Sequence, residues 1–516
     1  MDKDLMNKEV LVILDTRQIQ KFMFKSNTFY DTIGASDLMT HVLQDAILYA
    51  LTHVDPPLRE DQYSVDQTVD VETIPYFASE EVQFQIIMCA AGNALCIVRT
   101  GALAQQIIRR ISRYYLDNTR SLNLAAAAVA KTDDMGHDIF ELYKKLNAVK
   151  AACEVSNPLG PLAIIKRENK TGESVTSYDE QNADFVSMAS ELRRKESSKR
   201  GTLISKEEMF ATQMPDGRSY QAVIHADGNN LGITIGRILQ NTKSYEEGIR
   251  KRRLINKNIS ENYDRIVKAT IGQLRDYYQS LGKNPEDFPR EFQLIHQAGD
   301  DVNIICNASL AFIFMEYFYK NLDNSYLMKY AGEEIPLYVC AGIAFVTRDI
   351  DYHMAFGFAE ECCDSAKTMA KKEENLRNGL AGNWIDFQVY KTKNVQELDM
   401  LRLKSYTTYE GINLTLRPYC FDEVAKAEPY FYGNFRSRLD AINKLKLNES
   451  DISNLIMSYN MGRKNFNQYI AKLKANGLDL IEALGQPLYK CGDEEKAVWR
   501  DAFSLRSLFE EGGEQA

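Results

Sequence analysis

The chain has 516 residues, 45% hydrophobic and 26% charged, which excludes a disordered or low-complexity protein and leaves apolar surface for more than one core. No apolar run approaches the roughly 20 residues that cross a bilayer, and the N-terminus mixes acids and bases before Val10 to Leu14, unlike a secretory leader, so the chain reads as cytoplasmic with no membrane partner. Lys and Arg total 62 against 72 Asp and Glu, a net charge of -10 that argues against binding long nucleic acid by bulk charge, though local basic patches stay open.

In chain order, Glu9 to Asp15 is a short apolar run ending in a carboxylate, the pattern of a buried strand with Asp15 at its tip. Phe84 to Cys89, the small-residue turn Ala90-Ala91-Gly92-Asn93 and Ala94 to Val98 read as a hairpin. A helix over Leu103 to Leu116, a strand over Leu122 to Ala130 and a helix over Asp138 to Cys153 follow. The polar, charge-rich stretch from Asn157 to Gly217 reads as a connecting module with one or two exposed helices.

The pattern then returns. Tyr220 to Asp227 is a second apolar run ending in an acid. Phe292 to His296, the turn Gln297-Ala298-Gly299-Asp300-Asp301 and Val302 to Cys306 form a second hairpin. A helix over Leu310 to Leu322, a strand over Leu337 to Val346 and a helix over Tyr352 to Ala370 complete it. Strand, helix, hairpin, helix, strand is the ferredoxin-like order, here present twice. After about Val389 the chain turns helical, with apolar spacing of three and four over Phe435 to Leu447, Ser450 to Met461 and Phe466 to Leu473 and no strand patterning. The last residues, Glu510 to Ala516, read as a frayed end.

Asp227 at a strand tip and Asp300-Asp301 at a neighbouring turn would put three carboxylates at one end of a small sheet. Such oxygen-rich clusters hold Mg²⁺ or Mn²⁺ when water and phosphate complete the shell. Two such ions, roughly 4 Å apart, can activate a hydroxyl and steady a departing pyrophosphate during in-line attack on phosphorus. Asp227, Asp300 and Asp301 are therefore the candidate catalytic and metal-binding residues. Gly299 suits a turn where a side chain would obstruct a nucleotide, and Gly228, Asn229, Asn230 and Gly232 could receive a triphosphate. Asp, Asn and Gly also build turns that bind nothing; an acidic tip and an acidic turn, each beside an apolar strand, favour metal.

These residues carry a resemblance. Asp-Gly-Asn-Asn-Leu-Gly (227–232), Ala-Gly-Asp-Asp (298–301), Ala-Gly-Ile-Ala (341–344) and Ala359-Glu360 to Ala366-Lys367 resemble the second palm domain of the large subunit of type III CRISPR effector complexes, in an HD-less form or a stand-alone relative. Asp15 with Ile19-Gln20-Lys21-Phe22 and Gly34-Ala35-Ser36 resembles that family's first palm, Ala90-Ala91-Gly92-Asn93 its small-residue turn, and Arg417-Pro418-Tyr419 the segment leaving the second palm. The resemblance implies an α+β fold: a first palm over 1–153, a linker module over 154–217, a second palm over 218–390 and a C-terminal helical domain over 391–516.

It also implies that the palms face each other, hold two nucleotides and join ATP into cyclic oligoadenylates that switch on antiviral effectors. Asp227, Asp300 and Asp301 would then hold the metals beside the Gly228 backbone, Lys367 would neutralise phosphate charge, and Gly92 and Asn93 would lie by the second nucleotide. With Asn93 in the carboxylate position, the first palm would hold substrate without catalysing. Implied partners are ATP, guide or target RNA and other CRISPR effector subunits. The sequence departs from the family at Asn229, where many relatives carry Asp, at Ala298, which replaces the first turn glycine, and in lacking the zinc-binding cysteines between the palms. Some relatives join ATP to S-adenosylmethionine, so the product stays open. A non-catalytic scaffold subunit and a nucleotide-binding regulator without turnover are the rival readings; the intact Asp300-Asp301 pair speaks against the scaffold.

Other signals read as structural. His137-Asp138 reads as a helix start and not as part of an HD nuclease domain, for which the chain has no room. Arg250-Lys251-Arg252-Arg253 reads as a solvated face, and His225 and His296 as hydrogen-bonded core histidines. Lys367 reads equally as an exposed base near Lys371 and Lys372. Nine cysteines without zinc spacing read as buried thiols.

Overall fold

The computed structural model describes residues 3–26, 28–69, 72–120, 122–152, 164–180, 184–200, 204–214, 216–242, 244–330, 333–372, 382–391, 397–445, 447–491 and 494–508. The frayed end expected over 510–516 lies outside these residues.

The first apolar run forms β1 (Val10–Arg17), followed by α1 (Phe29–His53), the hairpin β2 (Phe84–Ala90) and β3 (Asn93–Val98), α2 (Gly101–Thr119), β4 (Asn123–Ala130) and α3 (Met135–Ala152). The strands lie in the order β2-β3-β1-β4, with Tyr63–Ser64 at the β2 edge. This is the ferredoxin-like topology that the strand order in sequence predicts. Local chemistry sets the elements. α2 opens on Thr100, whose side chain accepts from the Leu103 amide, and buries Ala104, Ile107, Ile111 and Tyr115 along one stripe.

The second unit repeats the plan. It comprises β5 (Ser219–Gly228), α5 (Leu231–Gln240), α6 (Tyr245–Ser280), the hairpin β6 (Phe292–Ala298) and β7 (Asp301–Asn307), α7 (Ala311–Leu322), β8 (Val339–Thr347), α8 (Tyr352–Ala370) and β9 (Trp384–Tyr390). Its sheet runs β6-β7-β5-β8-β9 and ends on Tyr419–Cys420. Every residue of β8 is buried, as befits a strand with neighbours on both sides and a helix on one face. That helix, α8, lies very close: a β-carbon on Gly342 would stand 2.0 Å from the Ala359 carbonyl oxygen.

The two units share cores. Residues of α1 such as Ile33, Ala35 and Leu38 pack in one apolar cluster with Val223, Ile295, Ile305 and Phe356 of the second unit. On the other side, Ile139, Leu142 and Leu146 of α3 pack with Leu239, Tyr245 and Ile249 of α5 and α6. Asp138 is buried at this second seam: it accepts from the Thr132 amide and from Tyr245 Oη. The His137-Asp138 pair is thus a helix start, as expected, with its acid turned inward.

Three expectations are corrected. The connecting module's helix, α4 (Met188–Ser197), is docked and not exposed. Gly34 of α1 abuts the Arg193 backbone so closely that a β-carbon would overlap its carbonyl, and the buried Arg193 guanidinium covers the Phe22 ring. The basic run at 250–253 is not a solvated face, for Lys251 and Arg253 are buried. Arg253 donates to the carbonyls of Asp66 and Ile86 at 2.8 Å, of Thr68 at 3.0 Å and of Ile87 at 3.3 Å, all in the first unit. Charge on a helix marks solvent only where nothing else supplies acceptors, and here a strand edge does. The C-terminal region contains α9 (Tyr432–Lys444), α10 (Glu449–Asn460) and α11 (Arg463–Ala475), but also a hairpin, Leu488–Cys491 with Glu494–Ala497. The 36-residue α6 is the largest element that periodicity alone did not single out. Among the described residues no helix is long and apolar enough to cross a membrane, and the cysteines described are free thiols, buried apart from Cys89.

Candidate active site

The sheet topology brings the acids together. β5 pairs with β7, Ala226 opposite Val302, so Asp227 and Asp301 are the next facing residues and Asp300 stands at the tip of the β6–β7 turn. Gly299 makes that turn with φ of +62°, a conformation costly for any residue with a β-carbon. Gly228 gives the acid room: a β-carbon there would lie 2.7 Å from Asp300 Oδ2. Burial, and then the neighbouring Asp227 carboxylate, push Asp300 up to about 7. Two carboxylates in contact cannot both ionise freely unless a cation joins them.

Asp227 has a cation on one side, the Lys367 ammonium from α8, with which it forms an ion pair. Burial works against the charged lysine, but Asp227 outweighs it and raises the Lys367 affinity for its proton. Lys367 is therefore a partner of the site acid and not an exposed helix-end base. Asp301 is turned the other way. It accepts from Asn303 Nδ2 at 2.7 Å and lies 3.4 Å from His225 Nδ1, and His225 Nδ1 is also 2.7 Å from Asn303 Oδ1. Burial alone would depress the His225 imidazole; the hydrogen bond and charge of Asp301, helped by Asn303 and Asp227, push it up to about 9. Burial likewise opposes ionisation of Asp301, and His225 outweighs it, holding that carboxyl below its usual range. His296 completes the patch, its Nδ1 2.5 Å from Ser36 Oγ of α1. Sequence took both histidines as core residues; they are buried and hydrogen-bonded, and they also lean on a site acid.

Among the described residues no three His, Cys, Asp or Glu side chains form a ready-made metal cage. The donor set that fits a divalent cation is Asp227 with Asp300, two carboxylates whose mutual repulsion a cation relieves. Mg²⁺ needs no more from a protein when phosphate and water supply its other ligands. Asp301 retains 39% side-chain exposure at the edge of this pair.

The remaining candidates divide. Asn230 caps α5 from a left-handed backbone, φ 58°, with no side-chain hydrogen bond to the helix, and Gly232 has open space where a β-carbon would be. Asn229 is buried: its Nδ2 donates to the Gly382 carbonyl at 3.0 Å and its amide to Tyr338 at 2.8 Å. Gly92, φ 77°, makes the first unit's turn, and Asn93 faces Asp15 across β1 and β3. The two turns meet. A β-carbon on Gly299 would stand 3.7 Å from Ala91 Cβ.

A cleft of about 460 Å³ lies along α8 between the units, lined on one side by Gln20, Lys21 and Lys25 and on the other by His353, Phe356 and Glu360. It joins two stretches that the sequence resemblance singled out far apart, Ile19 to Phe22 and Ala359-Glu360, and Gln20 Nε2 donates to Glu360 Oε1 at 2.5 Å across it. Phe356 meets the His225 ring edge-on, centroids 5.4 Å apart, so the cleft abuts the Asp301 network.

No family model matches the sequence and no curated protein is similar to it. Solved structures are similar over nearly its whole length. A Csm1-Csm4 cassette in complex with cA4 superposes with a TM-score of 0.58 at 14% identity, over 98% of this chain and 70% of that one. A cassette in complex with pppApApA gives 0.55 at 13% identity, over 98% and 69%. A third, with pppApA, gives 0.52 at 14%, again over 98% and 69%. At such identities the likeness is one of fold: the chain has the α+β fold of Csm1, the large subunit of type III CRISPR complexes.

Proposed function

We propose that this protein is a nucleotidyltransferase that makes a nucleotide second messenger, of the cyclic oligoadenylate kind, from ATP in antiviral defence. The observation that carries the reading is the Asp227–Asp300 pair: two carboxylates pressed together at a strand tip and a glycine turn, one of them with its proton affinity raised to about 7 by the other and by burial. Such a pair is poorly suited to stabilising a fold and well suited to a divalent cation. The cassettes of the same fold are complexes with cA4 and linear adenylates, which supports adenine nucleotides as substrate and product, and a Csm4-like subunit as partner.

In this reading Asp227 and Asp300 hold Mg²⁺ or Mn²⁺, with Asp301 at their edge. The metal, when bound, supplies positive charge for the α-phosphate and acidifies a hydroxyl. The chain's own residues do the rest. Lys367 places a point charge beside Asp227 for incoming phosphate. The Gly299 and Gly228 backbones keep side chains out of the space a nucleotide fills, and the uncapped start of α5 offers amide donors to phosphate oxygens. The first unit, whose Gly92 turn meets Gly299, presents the second nucleotide so that its 3′-hydroxyl attacks the α-phosphorus; the new P–O bond forms as the bond to pyrophosphate breaks.

The test is incubation of the purified protein with labelled ATP and Mg²⁺ or Mn²⁺, with and without target RNA and S-adenosylmethionine, and identification of products by mass spectrometry. Pyrophosphate release with an adenylate product, lost in Asp300→Ala/Asp301→Ala, supports the reading. Release only with S-adenosylmethionine redirects it to conjugation. No release under any condition overturns the reading and favours a scaffold subunit.

A further inference from the structure

The basic run of α6 holds one arginine that the fold does not satisfy. Arg253 is caged by four carbonyls, Lys251 pairs with Glu247 at 2.9 Å, and Arg250 donates to the Glu72 carbonyl. Arg252 differs. It is half-buried; among the described residues its Nη1 is buried with no hydrogen-bond partner, and its Nη2 lies 3.6 Å from the Met88 sulfur. Among the described residues no carboxylate lies within ion-pair distance of it. The acid whose charge reaches it is Asp300, and the other group acting on it is Tyr143 of α3, 44% exposed. Arg252 thus stands against Met88 of β2, three residues before Ala91, which meets the Gly299 turn of the second unit.

A desolvated guanidinium without an anion is expensive, and proteins keep one where an anion arrives. Surroundings fit that purpose. Asp300 touches Gly228, which leads into the uncapped start of α5, and Gly232 and Gly236 of α5 face open space. A guanidinium's planar fork matches two phosphate oxygens at once, which a lysine cannot do. We propose that Arg252 is a phosphate-binding residue, its guanidinium taking the polyphosphate of a nucleoside triphosphate held at the Gly299–Asp300 turn. This rests on the functional reading above and adds to it a ligand from α6, shared across the seam between the two units.

The experiment compares the full chain with Arg252→Met and Arg252→Lys, measuring by calorimetry in Mg²⁺ the affinity for a non-hydrolysable ATP analogue and for AMP. Arg252→Met is expected to weaken the analogue tenfold or more while leaving AMP unchanged, with Arg252→Lys between. The unliganded melting temperature of Arg252→Met is expected to equal or exceed that of the parent, because an unpaired buried charge is removed. An Arg252→Met protein that binds the analogue as the parent does, or that loses AMP to the same degree, overturns the assignment of Arg252 alone. A parent protein that takes neither analogue nor AMP overturns the functional reading, and the assignment with it.

Discussion

Lys150 Nζ lies 2.7 Å from Asp15 Oδ2, and the pair is the first unit's copy of Lys367 with Asp227. In each unit the acid lies near the end of the first strand, and the lysine comes from the last turn of the helix that follows the fourth strand (α3 and α8). The duplication therefore extends past the backbone to a charge pair, while the turn opposite has diverged, Asn93 in one unit and Asp301 in the other. One unit gathers negative charge at its turn and the other does not.

The lysines should accordingly separate in experiment. Lys367→Met is expected to lower adenylate synthesis on the order of 100-fold, the size of losing one positioned charge in a water-poor site. Lys150→Met is expected to leave synthesis within a few-fold. Pyrophosphate release by both variants, at matched folded fractions, checks this; equal losses would show that both units do the same work.

The pH dependence of stability follows from Asp300 and His225. Asp300 binds its proton more tightly folded than unfolded, so ionising it costs stability as pH rises from about 4 to about 7. His225, raised to about 9, contributes stability that is present below about 6.5 and lost as pH rises through 9. Both act in one direction, while His296, whose buried ring holds its proton less tightly, acts the other way below about 6.5: in EDTA the melting temperature should fall from about pH 6.5 to about pH 9. Asp300→Asn should raise it at pH 8 by roughly 2–4 °C, and Mg²⁺ should do so only when Asp300 is present. Calorimetric scans across that range decide it.

Arg253 ties α6 to β2 through the Ile86 and Ile87 carbonyls. Arg253→Ala removes a buried donor shared by four carbonyls and should cost about 3 kcal/mol. Arg253→Lys, a point charge in a cage shaped for a fork, should recover little of it. Urea unfolding of the two variants measures both.

Gly342→Ala should be the most damaging single-methyl change near the site. The new carbon would stand 2.0 Å from the Ala359 carbonyl and 2.3 Å from the Cys363 amide, forcing α8 off β8 and moving Lys367 with it. An overpacked backbone contact of this kind costs about 3 kcal/mol, and urea unfolding of this variant should register the loss. Synthesis should fall further than the loss of folded protein explains.

Much of the fold is local in origin and was legible. Short β-branched apolar runs such as Val10 to Leu14 favour strands, and a glycine turn such as 298–301 closes a hairpin between its own neighbours, so the repeated order of strands followed from sequence, as did the acids at 227 and 300–301. The docking of the connecting module's helix, the hairpin near 490 and α6 escaped, since a polar run carries no period that tells a docked face from a wet one.

What only the tertiary structure decided is what each charge faces. Arg250 to Arg253 have the same pattern whether water or the β2 carbonyls lie opposite, and residues 166 positions apart set the difference. Asp300 and Asp301 are neighbours in sequence, yet one leans on Asp227 and the other on His225. Hydrophobic burial is specified by side chains themselves, along the chain; the worth of a charge is specified by its partners, and those are assembled only when distant segments meet.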